Sequence, residues 1–523
     1  MRIRLAYFTV IGSLIGLLFL SGSARPAHTQ NADGRDCSET ANSSDGCNTI
    51  EGSSFNQADA DVVGATIGGG GQRTWPNQIH GDFGTVCGGL DNRVGEIATV
   101  CGGSHNVAAV VRTFVGGGMD NQATADSAAI VGGINNQATG RYAFVGGGFG
   151  NRATDLNATV GGGSGNLAGY RQTTVAGGSV NQAISVASTV GGGVSNIASG
   201  AYATIGGGTE NNATSLNSSI AGGAGNHVSA DAGAIAGGIA NRILDNYSVV
   251  AGGWANQAGN GEGDLQDAAY ASVGGGKGNL ASGAYATVPG GASNQAQGDY
   301  SFAAGRRAMA QHDGSLVLAD SNQAEFTSVA ANELAVRATG GVRLVTAIDS
   351  GGEPLAGVLL PAGSGAWATL SDREAKADFA PVDSQEILSR VAALPIQTWR
   401  YKAQPGETRH LGPAAQDFYA AFGIGEGDRT ISTVDADGVA LASIQALNEK
   451  LVERDTELSA VQAENQALRQ ELVRLEARTN ALEARCESST SLLPRIGLVG
   501  LAVLLLENAL RKTKGLLEFL RHN

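Results

Sequence analysis

The sequence is poor in aromatic residues, proline and cysteine, and each shortage excludes a class of protein. Phe, Trp and Tyr make up only 5% of the 523 residues, which is too few to fill a large conventional core. Only 10 prolines accompany 79 glycines and no Gly-X-Y period connects them, so collagen is excluded. Five cysteines fit an oxidising compartment but do not make a disulfide scaffold.

Positive charge is also scarce. The chain has 34 Lys and Arg against 48 Asp and Glu, which gives a formal net charge of −14. Binding of a phosphate backbone needs clustered Lys and Arg, so we expect no nucleic-acid partner. We predict no cofactor and no bound metal.

The N-terminus has the features of a secretory signal. Two arginines within the first four residues precede an apolar run (5–20), and small residues follow up to Ala24. We therefore predict a signal peptide over 1–24, a polar disordered leader over 25–64, and an exported protein at the cell surface or outside the cell. An N-terminal membrane anchor is the alternative.

A 15-residue repeat fills most of the N-terminal half, as in "TVGGGSGNLAG" and "SVGGGKGNLASGAYA". An asparagine follows six residues after the aliphatic residue of each copy, from Asn106 to Asn256. An insertion containing "GNGEGDLQDA" then shifts the next copies to Val273 and Val288, and an earlier copy has Val86. The regularly spaced aliphatic residues are Val100, Val115, Ile130, Val145, Val160, Val175, Val190, Ile205, Ile220, Ile235 and Val250.

This repeat is too short for a helical hairpin or a propeller blade, which need roughly 34 to 50 residues. It suits one coil of a parallel β-solenoid, with two very short strands and two turns. Stacking of coils about 4.8 Å apart would align the aliphatic residues in a thin core and the asparagines in a turn ladder. We predict a solenoid over 65–310 with about fifteen coils. So slim a core favours oligomerisation.

Two sharper interpretations of the repeat are disfavoured. Calcium-binding β-rolls carry carboxylates at positions where this repeat has Asn, Ala or Ser. Ice-binding solenoids need an unbroken threonine ladder, and Phe114, Ala129 and Phe144 interrupt it here.

The cysteines leave several alternatives open. Cys87 and Cys101 occupy the same place in successive coils, close enough for a disulfide, and two stacked free thiols are equally compatible with this spacing. Cys37 and Cys47 flank a polar stretch and could close a small loop. Cys486 stands alone near the C-terminal end.

The repeat resembles the left-handed β-roll heads of trimeric autotransporter adhesins, most clearly in "YSFAAGRRAMAQ" (300–311). This resemblance implies a left-handed-type solenoid and a trimer of parallel solenoids. Nothing at the C-terminus looks like the β-barrel anchor of that family, so an autotransporter mechanism does not follow.

The C-terminal third changes character. Residues 311–369 predict a β connector. Within 370–443, "EILSRVAALPIQTWRYK" predicts a helix that ends before Pro395 and is followed by a strand, and "TRHLGPAAQDFYAAFG" predicts another helix. A coiled coil is predicted over 444–486, with Arg454 and Asn465 as polar seam residues. Its other a and d positions are Ile444, Leu447, Leu451, Leu458, Val461, Leu468, Leu472, Leu475, Thr479, Leu482 and Cys486.

The tail over 487–523 carries an apolar run from Ile496 to Leu506, which is short of the roughly 20 residues that span a bilayer. Basic residues follow it, as expected on a cytoplasmic flank. A poor transmembrane helix, an interfacial amphipathic helix and a packed trimer tip remain open, so a membrane is a candidate partner.

The stretch "LSDREAKADF" places Ser371 and Lys376 five residues apart. Ser-Lys pairs are a known nucleophile and base, although this spacing alone occurs often by chance. The lysine must be neutral to accept the serine proton, which requires burial or a nearby cation.

"SDREAK" is followed by "RHLGPAAQDF" and "VDADGVALASIQALNEKL", and this order resembles the endosialidase-type intramolecular chaperone domain, serine peptidase family 74. Members trimerise, template the folding of the β-rich fibre before them, and cut themselves off. The resemblance assigns catalysis to Ser371 and Lys376 and scission to the bond between Leu370 and Ser371. It also implies supporting roles for Asp372, Gly412, Ala415 and Gln416. The family usually has its Arg one place later than Arg373, which puts the efficiency of cleavage in question.

We therefore expect an exported, homotrimeric, adhesin-like surface fibre, mainly β, whose C-terminal domain drives trimerisation and cleaves itself once. Its solenoid would contact a surface glycan or protein ligand. The alternative is an uncleaved structural or adhesive fibre that keeps this domain as a permanent trimeric cap. A phage-derived fibre is disfavoured by the signal peptide.

Overall fold

The structure, a computed structural model, describes residues 28–30 and 47–487. Two compact units share the chain: one extends to Val342 and includes Pro361–Gly365, and the other comprises Arg343–Leu360 and the chain from Ala366 onward. The predicted signal peptide, residues 25–27 and 31–46 of the predicted leader, and residues 488–523 lie outside the described residues.

The first unit is a parallel β-solenoid of about 19 turns with a repeat of about 15 residues, which confirms the predicted fold class. Each coil gives one strand to each of two parallel sheets, and consecutive coils stay in register, as where Val115 lies between Val100 and Ile130. The strand His28–Gln30 instead pairs antiparallel with the first solenoid strand.

The strands of the first sheet are Asn48–Glu51, Thr66–Gly68, Thr85–Val86, Thr99–Val100, Phe114–Val115, Ala129–Ile130, Phe144–Val145, Thr159–Val160, Thr174–Val175, Thr189–Val190, Thr204–Ile205, Ser219–Ile220, Ala234–Ile235, Val249–Val250, Ser272–Val273, Thr287–Val288, Gly291–Ala292, Phe302–Arg306, Leu316–Ala319 and Leu334–Arg337. Those of the second sheet are Gln57–Ala58, Gln78–Ile79, Arg93–Val94, Val107–Ala108, Gln122–Ala123, Gln137–Ala138, Arg152–Ala153, Leu167–Ala168, Gln182–Ala183, Ile197–Ala198, Asn212–Ala213, His227–Val228, Arg242–Ile243, Gln257–Ala258, Leu280–Ala281, Gln295–Ala296, Ala308–Ala310 and Phe326–Thr327.

Parallel pairing therefore reaches beyond both ends of the strict 15-residue repeat. The first rungs place Ile50, Ile67 and Val86 in one column, with steps of 17 and then 19 residues. The added residues lie in the turns, so the sheet register survives although the sequence period does not.

The core of the solenoid is slim, as the repeat predicts. The second residue of nearly every two-residue strand points inward, so a column of Val and Ile in the first sheet faces a column of mostly Ala in the second. Val115, Ile130, Ala123 and Ala138 are all completely buried. Burial of an aliphatic side chain is worth about 1.5–3 kcal/mol, and here each coil contributes one such side chain with small neighbours.

The repeated asparagines form a buried ladder, which confirms the predicted turn ladder. From Asn92 to Asn294, each backbone N–H donates to the side-chain oxygen of the previous asparagine at 2.9–3.1 Å. The amide Nδ2 donates to glycine carbonyls of its own coil and of the next, as Asn136 does to Gly132 and Gly148, both at 3.0 Å. The side chain thus replaces the backbone pairing that a strand would supply.

The glycines beside this ladder are required by close backbone approach. A Cβ on Gly133 would lie 2.2 Å from the Gly148 carbonyl oxygen, and the φ of Gly133 is +95°. Only glycine allows both the approach and the backbone conformation.

Many non-glycine residues also adopt positive φ at the turns, and they include Val180 at +58° and Ile97 at +51°. The left-handed region is unfavourable for β-branched residues, so the stacking of coils must impose it. The insertion after Asn256 is accommodated without loss of register, since Val250 still pairs with Val273.

The second unit contains three helices and short antiparallel strands. The strands Gly341–Ile348, Pro354–Pro361 and Ala368–Thr369 form one sheet, and Gln397–Trp399 pairs with His410–Gly412. The helices are α1 (Ser384–Ala393), α2 (Ala415–Phe422) and α3 (Thr433–Glu487), and the first two confirm the predicted helices.

Cys47 is disulfide-bonded, Cys37 lies outside the described residues, and Cys87 and Cys101 are free thiols. Within 28–30 and 47–487, no helix combines the length and the apolar character needed to cross a bilayer.

Replacement of one ladder asparagine should destabilise the solenoid. In Asn121→Ala, the Asn136 backbone N–H and the carbonyls of Gly117 and Gly133 lose buried partners. Each unsatisfied group costs about 1–3 kcal/mol, so we expect a loss of about 3 kcal/mol in urea unfolding followed by circular dichroism. Gln122→Ala, at the exposed neighbouring position, is the matched control. Equal midpoints for the two variants would contradict a stabilising ladder.

Relief of backbone strain at a turn should stabilise the solenoid. Val180→Gly removes a β-branched residue from the left-handed region and should stabilise the solenoid by about 1 kcal/mol. Val194 is exposed to a similar extent, 46% against 48%, but has negative φ. Val194→Gly should therefore destabilise, and a lower melting temperature for Val180→Gly would refute the strain argument.

Candidate functional site

The predicted scissile bond follows directly after an edge strand of the second unit. The strand Ala368–Thr369 pairs antiparallel with Pro354–Pro361, with Ala368 opposite Leu359 and Thr369 opposite Val358. The pairing continues for one more residue, because the Leu370 N–H donates to the Gly357 carbonyl at 2.9 Å. Leu370, whose carbonyl belongs to the scissile bond, is therefore held in an extended conformation.

Only glycine fits at position 357 in this arrangement. Its φ is +151°, and a Cβ there would lie 2.2 Å from the Leu344 carbonyl oxygen on the neighbouring strand. A side chain would push the two hairpin strands apart at the residue that holds Leu370. Gly357 was not predicted from the sequence, although a glycine inside a strand is a known sign of close backbone approach.

A short turn brings Lys376 back to Ser371. The Asp372 carboxylate accepts a hydrogen bond from the Glu374 N–H at 3.0 Å, and the Lys376 N–H donates to the Arg373 carbonyl at 3.2 Å. As a result the Lys376 Nζ lies 2.5 Å from the Ser371 Oγ. Asp372 forms the turn in the manner typical of aspartate, through its own downstream backbone.

The side chain of Arg373, the residue that departs from the family spacing, makes no hydrogen bond to Ser371 or Lys376 in the described part of the chain. Its guanidinium lies 4.6 Å from the centre of the Phe379 ring, in a cation–π contact. The arginine thus packs on the C-terminal side of the turn, where Asp378 has a positive φ of 57°.

Ser371 and Lys376 are both exposed, and Leu370 is 37% exposed. A lysine accepts a proton only when it is neutral, and burial or a nearby cation favours that form. One isolated chain supplies the geometry of a nucleophile and a base, but little of the burial that the chemistry requires.

Gly412 and Gln416, two further residues implied by the resemblance, lie on a strand and on a helix of the same unit. Gly412 ends the strand His410–Gly412 opposite Gln397, and Gln416 lies in the first turn of α2 after Ala415. Among the residues that the structure describes, no hydrogen bond connects Gly412 or Gln416 to Ser371 or Lys376. Their supporting roles stay predictions.

The long helix α3 is anchored at its start and unpartnered further along. The Gln385 Nε2 on α1 donates to the Ala446 carbonyl at 3.3 Å and to the Glu449 carboxylate at 2.9 Å. From Ile444 onward, nine aliphatic seam residues are 44–61% exposed: Ile444, Leu447, Leu451, Leu458, Val461, Leu468, Leu472, Leu475 and Leu482. An apolar stripe of this length, interrupted at Arg454, Asn465 and Thr479, is typical of a helix that pairs with other helices.

Comparison with known proteins identifies a family for the segment that begins at Ser371. Residues 371–423 match the family described as chaperone of endosialidase, which confirms the resemblance noted for this part of the chain. The match begins at Ser371, the residue after the predicted scissile bond. No curated protein matches the chain. The likeness of the repeats to autotransporter adhesins is not tested by these findings and stays a prediction.

Proposed function

We propose that this chain is one subunit of a homotrimeric fibre whose C-terminal domain drives trimerisation and then cleaves the bond between Leu370 and Ser371. One observation carries the proposal: the Lys376 Nζ lies 2.5 Å from the Ser371 Oγ, directly after the strand that holds Leu370. The family match over 371–423 supports it independently.

The proposed chemistry follows from the position of the nucleophile. The Ser371 Oγ attacks the carbonyl carbon of Leu370 through a five-membered ring, and Lys376 takes the hydroxyl proton. When the C–N bond breaks, Lys376 returns this proton to the leaving nitrogen of Ser371, and an ester joins Leu370 to Ser371. Water then hydrolyses the ester, which yields the Leu370 carboxyl group and restores the serine hydroxyl.

Trimerisation is the step that would complete the site. The exposed stripe on α3 would be buried in a three-helix seam, and the neighbouring subunits would cover the exposed dyad. Burial favours the neutral lysine, so assembly would activate the base. Cleavage would then follow trimer formation and leave unassembled chains intact.

Export and surface location belong to the same proposal. The basic, apolar and small-residue order of the first 24 residues supports export, and the apolar run in the tail supports membrane contact. If the tail enters a membrane, scission would release the solenoid from its anchor. A shaft that stays bound to cells after complete cleavage would contradict this release.

The first experiment compares the intact masses of the wild-type chain and Ser371→Ala, both expressed as residues 25–523. We expect two wild-type fragments, one beginning at Ser371, and a single uncut chain for Ser371→Ala. One uncut chain in both proteins would refute cleavage and leave the domain as a permanent cap.

The lysine is tested by Lys376→Ala, with Lys402→Ala as the matched control because Lys402 is also exposed in the same unit. Loss of a general base typically costs about 10²–10⁴ in rate, so Lys376→Ala should remain uncut for days while Lys402→Ala is cleaved normally. Normal cleavage by Lys376→Ala would remove the dyad from the mechanism.

The strand that positions the scissile bond is tested by Gly357→Ala. The added Cβ would displace the carbonyl that holds Leu370, and a misplacement of about 1 Å can cost about 10²-fold in rate. Gly352→Ala is the control, because Gly352 also has positive φ (+89°) but nothing near its Cβ position. We expect slow cleavage of Gly357→Ala alone, with unchanged trimer content by analytical ultracentrifugation. Equal cleavage rates would show that the strand register does not position the bond.

A further inference from the structure

Cys87 and Cys101 form a pair of thiols on neighbouring coils. Each directly follows a buried core valine, and these valines, Val86 and Val100, pair in parallel register. Backbone pairing continues through both cysteines: the Cys87 N–H donates to the Val100 carbonyl at 3.0 Å, and the Cys101 N–H donates to the Val115 carbonyl at 2.9 Å. Neighbouring rungs lie about 4.8 Å apart, which is within the Cα separation of about 4.4–6.8 Å that disulfides require.

The two side chains point outward together. Side chains alternate along a strand, so the residues after the buried valines face solvent, and both cysteines are exposed. Partial burial of the Cys101 thiol, and then the neighbouring Cys87 thiol, raise the pKa of Cys101.

The surroundings leave this pair open to a reagent. The same column continues with Gly68 on one side and Gly116 on the other, as the register of the flanking residues shows. Neither glycine has a side chain that could cover or crowd the thiols. The chain therefore presents two adjacent, accessible thiols with glycine on both flanks, a combination that none of the functions above uses.

We propose that Cys87 and Cys101 are a thiol–disulfide exchange site that reacts with a low-molecular-weight disulfide and closes a bond between neighbouring coils. The Cys87 thiolate attacks one sulfur of the reagent, which forms a mixed disulfide and releases one thiol. The Cys101 thiolate then attacks the Cys87 sulfur and expels the second thiol. Two protein thiols are oxidised, the reagent disulfide is reduced to two thiols, and no other oxidant is needed.

The bond would hold together two of the first coils of the solenoid. A solenoid end has neighbours on one side only, so it is the place where coils separate most easily. A covalent link between neighbouring rungs opposes this separation without a change in register.

The test treats the reduced full chain with glutathione disulfide and measures intact mass and tryptic peptides without reduction. Cleavage after Arg73, Arg93 and Arg112 places the two cysteines in different peptides, so their bond appears as one linked peptide pair. We expect this linked pair in the wild type, with no glutathione left on either cysteine. Cys87→Ser and Cys101→Ser should each keep one glutathione on the remaining thiol, because the second step is blocked.

A relocated thiol provides the matched control. In the double variant Cys101→Ser, Val131→Cys, the second thiol stays exposed in the same column but lies three rungs from Cys87, about 14 Å away. This variant should carry glutathione at residue 87 and at residue 131, with no peptides linked between these two positions. The proposal is overturned if the wild type also keeps glutathione on both Cys87 and Cys101, or if its disulfides join Cys87 or Cys101 to another chain.

Discussion

The solenoid depends on one constraint: its coils must satisfy their backbone polar groups with strands only two residues long. Such strands leave most amides and carbonyls of each coil outside the sheet ladders, and buried polar groups without partners are costly. The asparagine column solves this at one corner, because each side chain accepts from the next coil and donates to two glycine carbonyls. The glycines are needed for the same reason, since any Cβ there would collide with a carbonyl of the next coil.

This constraint explains why the fold could be predicted from the sequence. Every coil requires an aliphatic core residue, a ladder asparagine and glycines beside it. These requirements therefore recur with a regular period that is visible in the sequence. The structure confirms Val115 as core and Asn121 as ladder on this basis. The end coils were harder to predict because Ile50 and Ile67 keep the register while their turns differ in length. Positive φ at Val180 was not predictable, because that conformation is imposed by stacking and contradicts the preference of the residue.

Some residues of the candidate site could also be predicted from the sequence, and others could not. Ser371 and Lys376 were identified from spacing and resemblance, and the structure brings them together through a turn that Asp372 forms. Gly357 was missed because its importance lies in a backbone contact with a residue 13 positions later, which no local motif encodes. Gly412 and Gln416 lie in the same unit as the dyad, and within the described residues of a single chain no hydrogen bond connects them to Ser371 or Lys376.

The second unit exposes two features that burial would favour: the aliphatic seam of α3 and the Ser371–Lys376 dyad. A helix that leaves nine aliphatic seam residues in water is unfavourable by the cost of hydrating that apolar surface, which association removes. Exposure to water also disfavours a lysine as a base, because solvation favours its charged form, which cannot accept a proton. Under the proposed function, one event corrects both: helix association buries the stripe on α3 and brings neighbouring protein against Ser371 and Lys376. A dyad that is pre-formed in geometry but exposed in the single chain would then delay cleavage until the fibre has assembled. The delay would arise from the exposure of the lysine itself, without a separate inhibitory element.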